Sequence, residues 1–352
     1  MPRAEKSGTR RLGTAEARRL AELARVAGLG DSPDDALLLN REALFLLNSE
    51  RQTPLLADVL RWQGSVLRDR GRTSEAEPLY RRSLAIATDL EYDAGRAHAL
   101  NCLASLAQRR GELVAAASLL SDALAIAGNC DEARLVGMIQ QNLGIIADIR
   151  GNPAAASAYY RVSLRTFEET NDLQPLCWVL NNLGYLYMKE ERYDDAEVTF
   201  QRALGIARAR GDLMSEGILE QNRGELELHR DQIDEAYPSI ARALEVADQR
   251  EDDVRRAAAL KLRGAFERLS KRPDDAAETL RHALTLSAVG EDALLGAEIL
   301  YQYGLALRDQ GDLEHACTAW RSALDSFERI SARQWVSRIQ RRLSGEPAGR
   351  YL

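Results

Sequence analysis

A forty-residue register runs through nearly the whole chain. Glycines stand at Gly64, Gly144, Gly184, Gly224, Gly264 and Gly304, with Ala24 and Ala104 in the two remaining places. Twelve residues after each comes an alanine: Ala36, Ala76, Ala116, Ala156, Ala196, Ala236, Ala276 and Ala316. Eight residues further on comes a leucine, from Leu44 and Leu84 through Leu124, Leu164, Leu204, Leu244 and Leu284 to Leu324. A fixed period of this length marks a repeat architecture, in which each unit buries its apolar face only by stacking on its neighbours.

The residue types say what the units are. Ala, Leu and Arg abound and aromatics make up only 6%, which favours helix over sheet. The alanine column reads as a close helix crossing, where a larger side chain would cost ~1–3 kcal/mol in overpacking. The leucine column reads as full burial, worth ~1.5–3 kcal/mol each time. The glycine column is a second close approach on the other helix, since Gly there forgoes ~1 kcal/mol of helix propensity. In one unit the two helices are expected over Cys177 to Glu190 and Asp194 to Ala207. Asp34, Ser74, Asp194, Asp234 and Asp274 are expected to cap second helices, with Gly71, Gly111, Gly151 and Gly311 in the turns before. Pro33, Pro153 and Pro273 share a place in the turn or at the start of the second helix, and Pro78 and Pro238 share one expected in its first turn.

Asn182-Leu183-Gly184-Tyr185, followed by Ala196, Phe200 and Ala203-Leu204, shows the tetratricopeptide signature most fully. Over roughly residues 14–343 the chain resembles tetratricopeptide-repeat proteins, with a period longer than their usual 34. It is similar to the variant in kinesin light chain, spindle-orientation adaptors and the sensor halves of bacterial regulators. The fold expected is all-α: a right-handed α-solenoid of eight hairpins plus a C-terminal capping helix at about 331–343. That helix should place Arg333, Arg338, Arg341 and Arg342 outward, because a terminal unit must present a polar face. Residues 1–13 and 344–352 read as flexible tails.

Charge and motifs narrow the function classes. A formal charge of −7 and a pI near 5.4 count against nucleic-acid binding, which wants a basic stripe. The opening residues lack the apolar core of a signal peptide, and no run is long enough to span a bilayer. Cys102, Cys130, Cys177 and Cys317 show neither C-x-x-C spacing nor disulfide density, so a cytoplasmic location is expected. Nucleophile elbow, phosphate loop and zinc-protease motifs are missing, so neither catalysis nor a cofactor is expected. His98 and Cys102, one helical turn apart, could begin a zinc site but have no further ligands at matching spacing. Glu220, Arg223 and Glu227 are spaced for helix-surface ion pairs, although Arg223 and Arg263 occupy a place that is leucine in earlier units.

By the resemblance, first helices line a groove, and positions six, three and two before the lattice glycine and one and four after it face inward. Two before stand Asn142, Asn182 and Asn222; three before stand Gln141, Asn181 and Gln221. An amide offers both donor and acceptor, so this doubled ladder could hold a peptide backbone without reading its side chains. Family members that bind extended segments use an asparagine here, which implies Asn142, Asn182 and Asn222. Met138, Trp178, Ile218 and Tyr185 could add pockets for alternate side chains. The competing reading is that these amides and apolar groups merely join neighbouring helices. The basic clamp that chaperone cofactors of the family use for a C-terminal carboxylate has no counterpart. Two functions remain: a protein- or peptide-binding scaffold or adaptor, or a sensor subunit controlling a separately encoded regulator or signalling ATPase. Oligomeric state is not legible.

Overall fold

The computed structural model describes residues 2–29, 32–47, 52–130, 132–288 and 292–345. Among these the chain forms seventeen helices and no strand. They follow in pairs: α1 (Pro2–Leu29) and α2 (Pro33–Leu47), α3 (Pro54–Asp69) and α4 (Thr73–Asp89), α5 (Asp93–Arg109) and α6 (Leu113–Ala127), α7 (Ala133–Ile149) and α8 (Pro153–Glu169). Then come α9 (Leu173–Lys189) and α10 (Tyr193–Arg210), α11 (Leu213–His229) and α12 (Ile233–Gln249), α13 (Asp253–Leu269) and α14 (Pro273–Ser287), α15 (Ala293–Gln310) and α16 (Leu313–Arg329). A single helix, α17 (Arg333–Leu343), ends the series. The protein is an all-helical solenoid.

Two compact units divide it: Met1–Leu106 with Ser118–Val136, and Ala107–Ala117 with Gly137–Leu352. In the first, α1 packs on α2 and α3 on α4, around a core that includes Ala57, Leu60 and Ile86. In the second, α9–α10, α11–α12, α13–α14 and α15–α16 are antiparallel hairpins, and each first helix also packs on the first helix of the next hairpin. The odd-numbered helices α9 to α15 therefore form a continuous row.

The turns explain the register. A left-handed residue recurs every twentieth position, at Gly71, Glu91, Gly111, Gly151, Asn171, Glu191, Gly211, Asp231, Glu251, Lys271, Gly311 and Ser331. Each closes a helix in the same way: the next N–H donates back to the carbonyl five residues before the left-handed residue's successor, as in Asp172 to Phe167 and Asp212 to Ala207. Turns within and between hairpins thus share one geometry, which makes forty the sum of two equal halves.

The lattice glycines make room for the side chain sixteen residues on. A Cβ on Gly184 would lie 2.6 Å from the ring of Phe200, one on Gly144 2.5 Å from Tyr160, and one on Gly64 2.7 Å from Tyr80. All eight lattice alanines are completely buried. The leucines differ from expectation: only Leu204 is buried and the other seven are half-exposed. The full burial falls on the small residue before them, including Ala43, Ser83, Ala123, Ser163 and Ala203, because that position faces the crossing directly.

Three further expectations shift. Second helices begin one residue before the acids expected as caps, so Asp194, Asp234 and Asp274 lie in the first turn, where they favour the helix dipole. Side-chain caps are found instead on Thr53, Asn152, Asp212, Asp252, Asp292 and Asp312. For the same reason Pro78 and Pro238 sit inside α4 and α12, a turn beyond the expected place. At the N-terminus the backbone is helical from Pro2, through the segment expected as a tail. Most of the expected C-terminal tail, from residue 346 on, lies outside the described residues.

Candidate functional site

The row of first helices in the second unit carries the amide columns. Asn222 Nδ2 donates to Asn181 Oδ1 at 2.7 Å, linking α11 to α9. Asn182 Nδ2 is buried and makes no hydrogen bond. Gln141 is buried on α7, with Asn142 half-buried beside it. Trp178 is committed to packing: its Nε1 donates to Ser215 Oγ at 3.1 Å, and that hydroxyl donates to Asp212 Oδ2. Met138 and Tyr185 lie against the core built from α8, α9 and α10. Ile218 and Gln221 open onto a separate crevice with Met214, Val246, Arg255 and Ala259. Of the ten residues expected to bind together, the structure joins Asn181 and Asn222 directly and spreads the others over several places along the row.

One constellation was not foreseen. Tyr185, Glu225, Lys261, Glu298 and Gln302, each from a different turn of α9, α11, α13 or α15, surround a narrow pocket closed by Trp335 of α17. Lys261 Nζ donates to Glu298 Oε2 at 2.5 Å. Burial raises the Glu225 carboxyl above the usual carboxylate range, and Lys261 pulls it partly back. Burial opposes the Lys261 charge, yet Glu298 and Glu225 outweigh it and hold its pKa above the ordinary lysine value. Glu225 and Glu298 are one after and six before a lattice glycine, so the inward columns held the signal; being acidic, they did not fit the amide pattern.

A neighbouring pocket of about 160 Å³ lies where α17 meets the turn ends of α7 and α9, lined by Asp148, Met188, Tyr193, His229, Trp335 and Arg338. Lys189 Nζ pairs with Asp148 at 2.6 Å across α9 and α7. Burial, then the positive Arg338, pushes the His229 pKa down to about 4, so the ring is neutral. The arginines of α17 are not all outward: Arg338 stands 5.0 Å over the Trp335 ring, and Arg342 Nε donates to Tyr301 Oη at 2.8 Å. Turned inward, they cover aromatic surface with their stems.

Elsewhere the ion pairs at Arg223 are real and wider than expected. Buried Glu220 accepts from Arg223 at 3.1 Å and from Arg208 of α10 at 2.6 Å. His98 in the first unit is driven down to about 3 by burial and by Arg61 and Arg134. Among the described residues no three His, Cys, Asp or Glu side chains are grouped to hold a metal ion, and no helix is long and apolar enough to cross a membrane.

Models of the tetratricopeptide repeat match residues 55–129 and 179–214. The chain is a tetratricopeptide-repeat protein. No curated protein matches its sequence. Its fold is similar to that of a Rap protein solved with competence and sporulation factor, at 10% identity and TM-score 0.66, with 94% of this chain and 97% of that one covered. The Rap conjugation gene regulator of plasmid pLS20, solved with Phr* peptide, is similar at 15% identity and TM-score 0.63, covering 86% of each chain. A STAND protein with a tetratricopeptide sensor from Pyrococcus horikoshii gives 15% identity and TM-score 0.54 over 88% of this chain. This tetratricopeptide chain spans about half the length of that protein and of Cut9, solved with Hcn1 at 16% identity and TM-score 0.59.

Proposed function

We propose that this tetratricopeptide chain is a non-catalytic scaffold or adaptor of the cytoplasm that holds an extended segment of another protein or peptide along its first helices. The observation that carries this reading is Asn182, whose buried Nδ2 has no hydrogen-bond partner at the centre of an amide row. A buried donor left unpaired costs ~1–3 kcal/mol, and an acceptor on a bound main chain would remove that cost. Asn181 and Asn222, paired with each other, can exchange that bond for bonds to a ligand at little net loss. Peptide complexes in proteins of like fold agree with such a use.

The test is affinity capture from the native organism with the chain and with its Asn142→Ala, Asn182→Ala, Asn222→Ala variant. Loss of the captured partner is expected; undiminished capture would sink the groove assignment. A finer alternative makes the same face a sensor whose occupancy controls a separately encoded regulator or ATPase, in keeping with the likeness to a STAND sensor. Co-purification with such an effector would favour it. The formal charge of −7 supports a protein rather than a nucleic-acid partner.

A further inference from the structure

Helix α17 reaches well beyond the hairpin it follows. Ile330, just ahead of it, abuts the turn at Gly111, where an added Cβ would overlap its side chain. Gln334 lies against the turn at Gly151, 3.0 Å from where a Cβ there would stand. Trp335 closes the pocket over Tyr185, Glu225 and Lys261, while its ring stacks on Phe327 at 4.8 Å and meets Tyr301 edge-on at 5.2 Å. The last helix thus lies across the first-helix row that the proposed function makes the binding face.

We propose that α17 is a tethered occupant of the part of this face around Tyr185, Glu225 and Lys261, and that a helical segment bearing tryptophan and, three residues later, arginine takes its place there, beside the extended segment that the asparagines hold. This rests on the reading of the face as a binding site. Charge favours that occupant. The two pockets around Trp335 present five carboxylates (Asp148, Glu190, Glu191, Glu225 and Glu298) against two ammonium groups (Lys189 and Lys261). Helix α17 carries no acid, and it sets Arg338 against this surface, while Arg342 lies over the Tyr301 ring beside it. Its eleven residues are fewer than an isolated helix needs for stability, so contact with the wall keeps it formed. Left-handed residues bound it on both sides, Ser331 at φ 58 and Gly345 at φ 80, so it is a discrete segment. A cleft of about 940 Å³ beside it, lined by Arg150, Tyr159, Val336 and Gln340, leaves room for an incoming chain.

The experiment titrates a labelled synthetic peptide of residues 331–345 against the full chain, its Trp335→Ala variant and, separately, its Arg338→Glu variant. The peptide is expected to bind both variants at least tenfold more tightly than the parent, whose own α17 competes. A peptide carrying both substitutions should not bind. Equal affinity for all three chains, or no binding to variants that circular dichroism shows folded, overturns the proposal. So does a Trp335→Ala chain that only melts earlier, because α17 would then be a cap and nothing more; Arg338→Glu leaves the packing of Trp335 on Phe327 and Tyr301 intact and guards against misfolding. If this fails while the triple asparagine variant still loses its captured partner, the binding face stands without its tethered occupant.

Discussion

At Gly184 the cost of a single methyl can be stated. Its added Cβ would lie 2.6 Å from Cε1 of Phe200, a ring wholly excluded from solvent and held on all sides. Gly184→Ala gains helix propensity but must displace that ring, so a net loss of about 1–3 kcal/mol is expected in urea unfolding. Phe200→Ala empties the same site and should cost ~3–5 kcal/mol. If the double variant loses no more than Phe200→Ala alone, the two residues share one packing site. Glycine in this column is therefore a statement about its partner sixteen residues on, a pairing invisible to propensity.

At the level of the element, the left-handed residue at every twentieth position joins the helices. Seven of these places hold residues other than glycine, including Glu251 at φ 50 and Lys271 at φ 63. A side chain there strains the backbone by ~1–2 kcal/mol, partly offset by the larger entropy glycine loses on folding. Glu251→Gly should therefore stabilise the chain by roughly 0.5–1 kcal/mol, and Gly311→Ala should destabilise it by a similar amount, both read from denaturation midpoints. Unchanged midpoints in both would show that the turns do not limit stability. The glycines at 71, 111, 151 and 311 pointed to these turns from sequence, but Glu, Asp, Lys and Ser at the same places did not, because their φ is imposed by the helices on either side.

Over the whole molecule, each unit contains a neutral histidine that can report its stability. His98 belongs to the first and His229 to the second, with pKa values lowered to about 3 and about 4 by burial and nearby arginines. A depressed histidine pKa means that the unfolded state binds the proton first. The stability each contributes is complete above the unfolded value near 6.5 and declines as pH falls toward the folded value. For each group the limiting slope is about 1.4 kcal/mol per pH unit. Glu225 and Glu227, whose carboxyls are raised by burial, act in the opposite sense, so the comparison must be between variant and parent. His229→Gln should flatten the unfolding free energy between pH 6.5 and 4; a slope equal to the parent's would mean that the ring is accessible to protons when folded.

What the sequence determined by itself is the repeat: helical pairs on a forty-residue register, with the alanine column wholly buried where expected. Such features are local and restated in every unit, so the chain declares them eight times over. The amide columns were legible as positions, but not that Asn181 would spend its oxygen on Asn222 while Asn182 keeps an unpaired donor. Burial depth was also beyond the pattern, as the half-exposed leucines show. The path of α17 was decided only by the tertiary structure. Its sequence continues the first-helix register and predicts a cap, but the contacts of Ile330 just ahead of it with Gly111, and of Gln334 and Trp335 with Gly151 and the wall around Tyr185, join segments far apart in the chain. Only the accumulated geometry of the intervening hairpins brings them within reach, and no repeat encodes that sum.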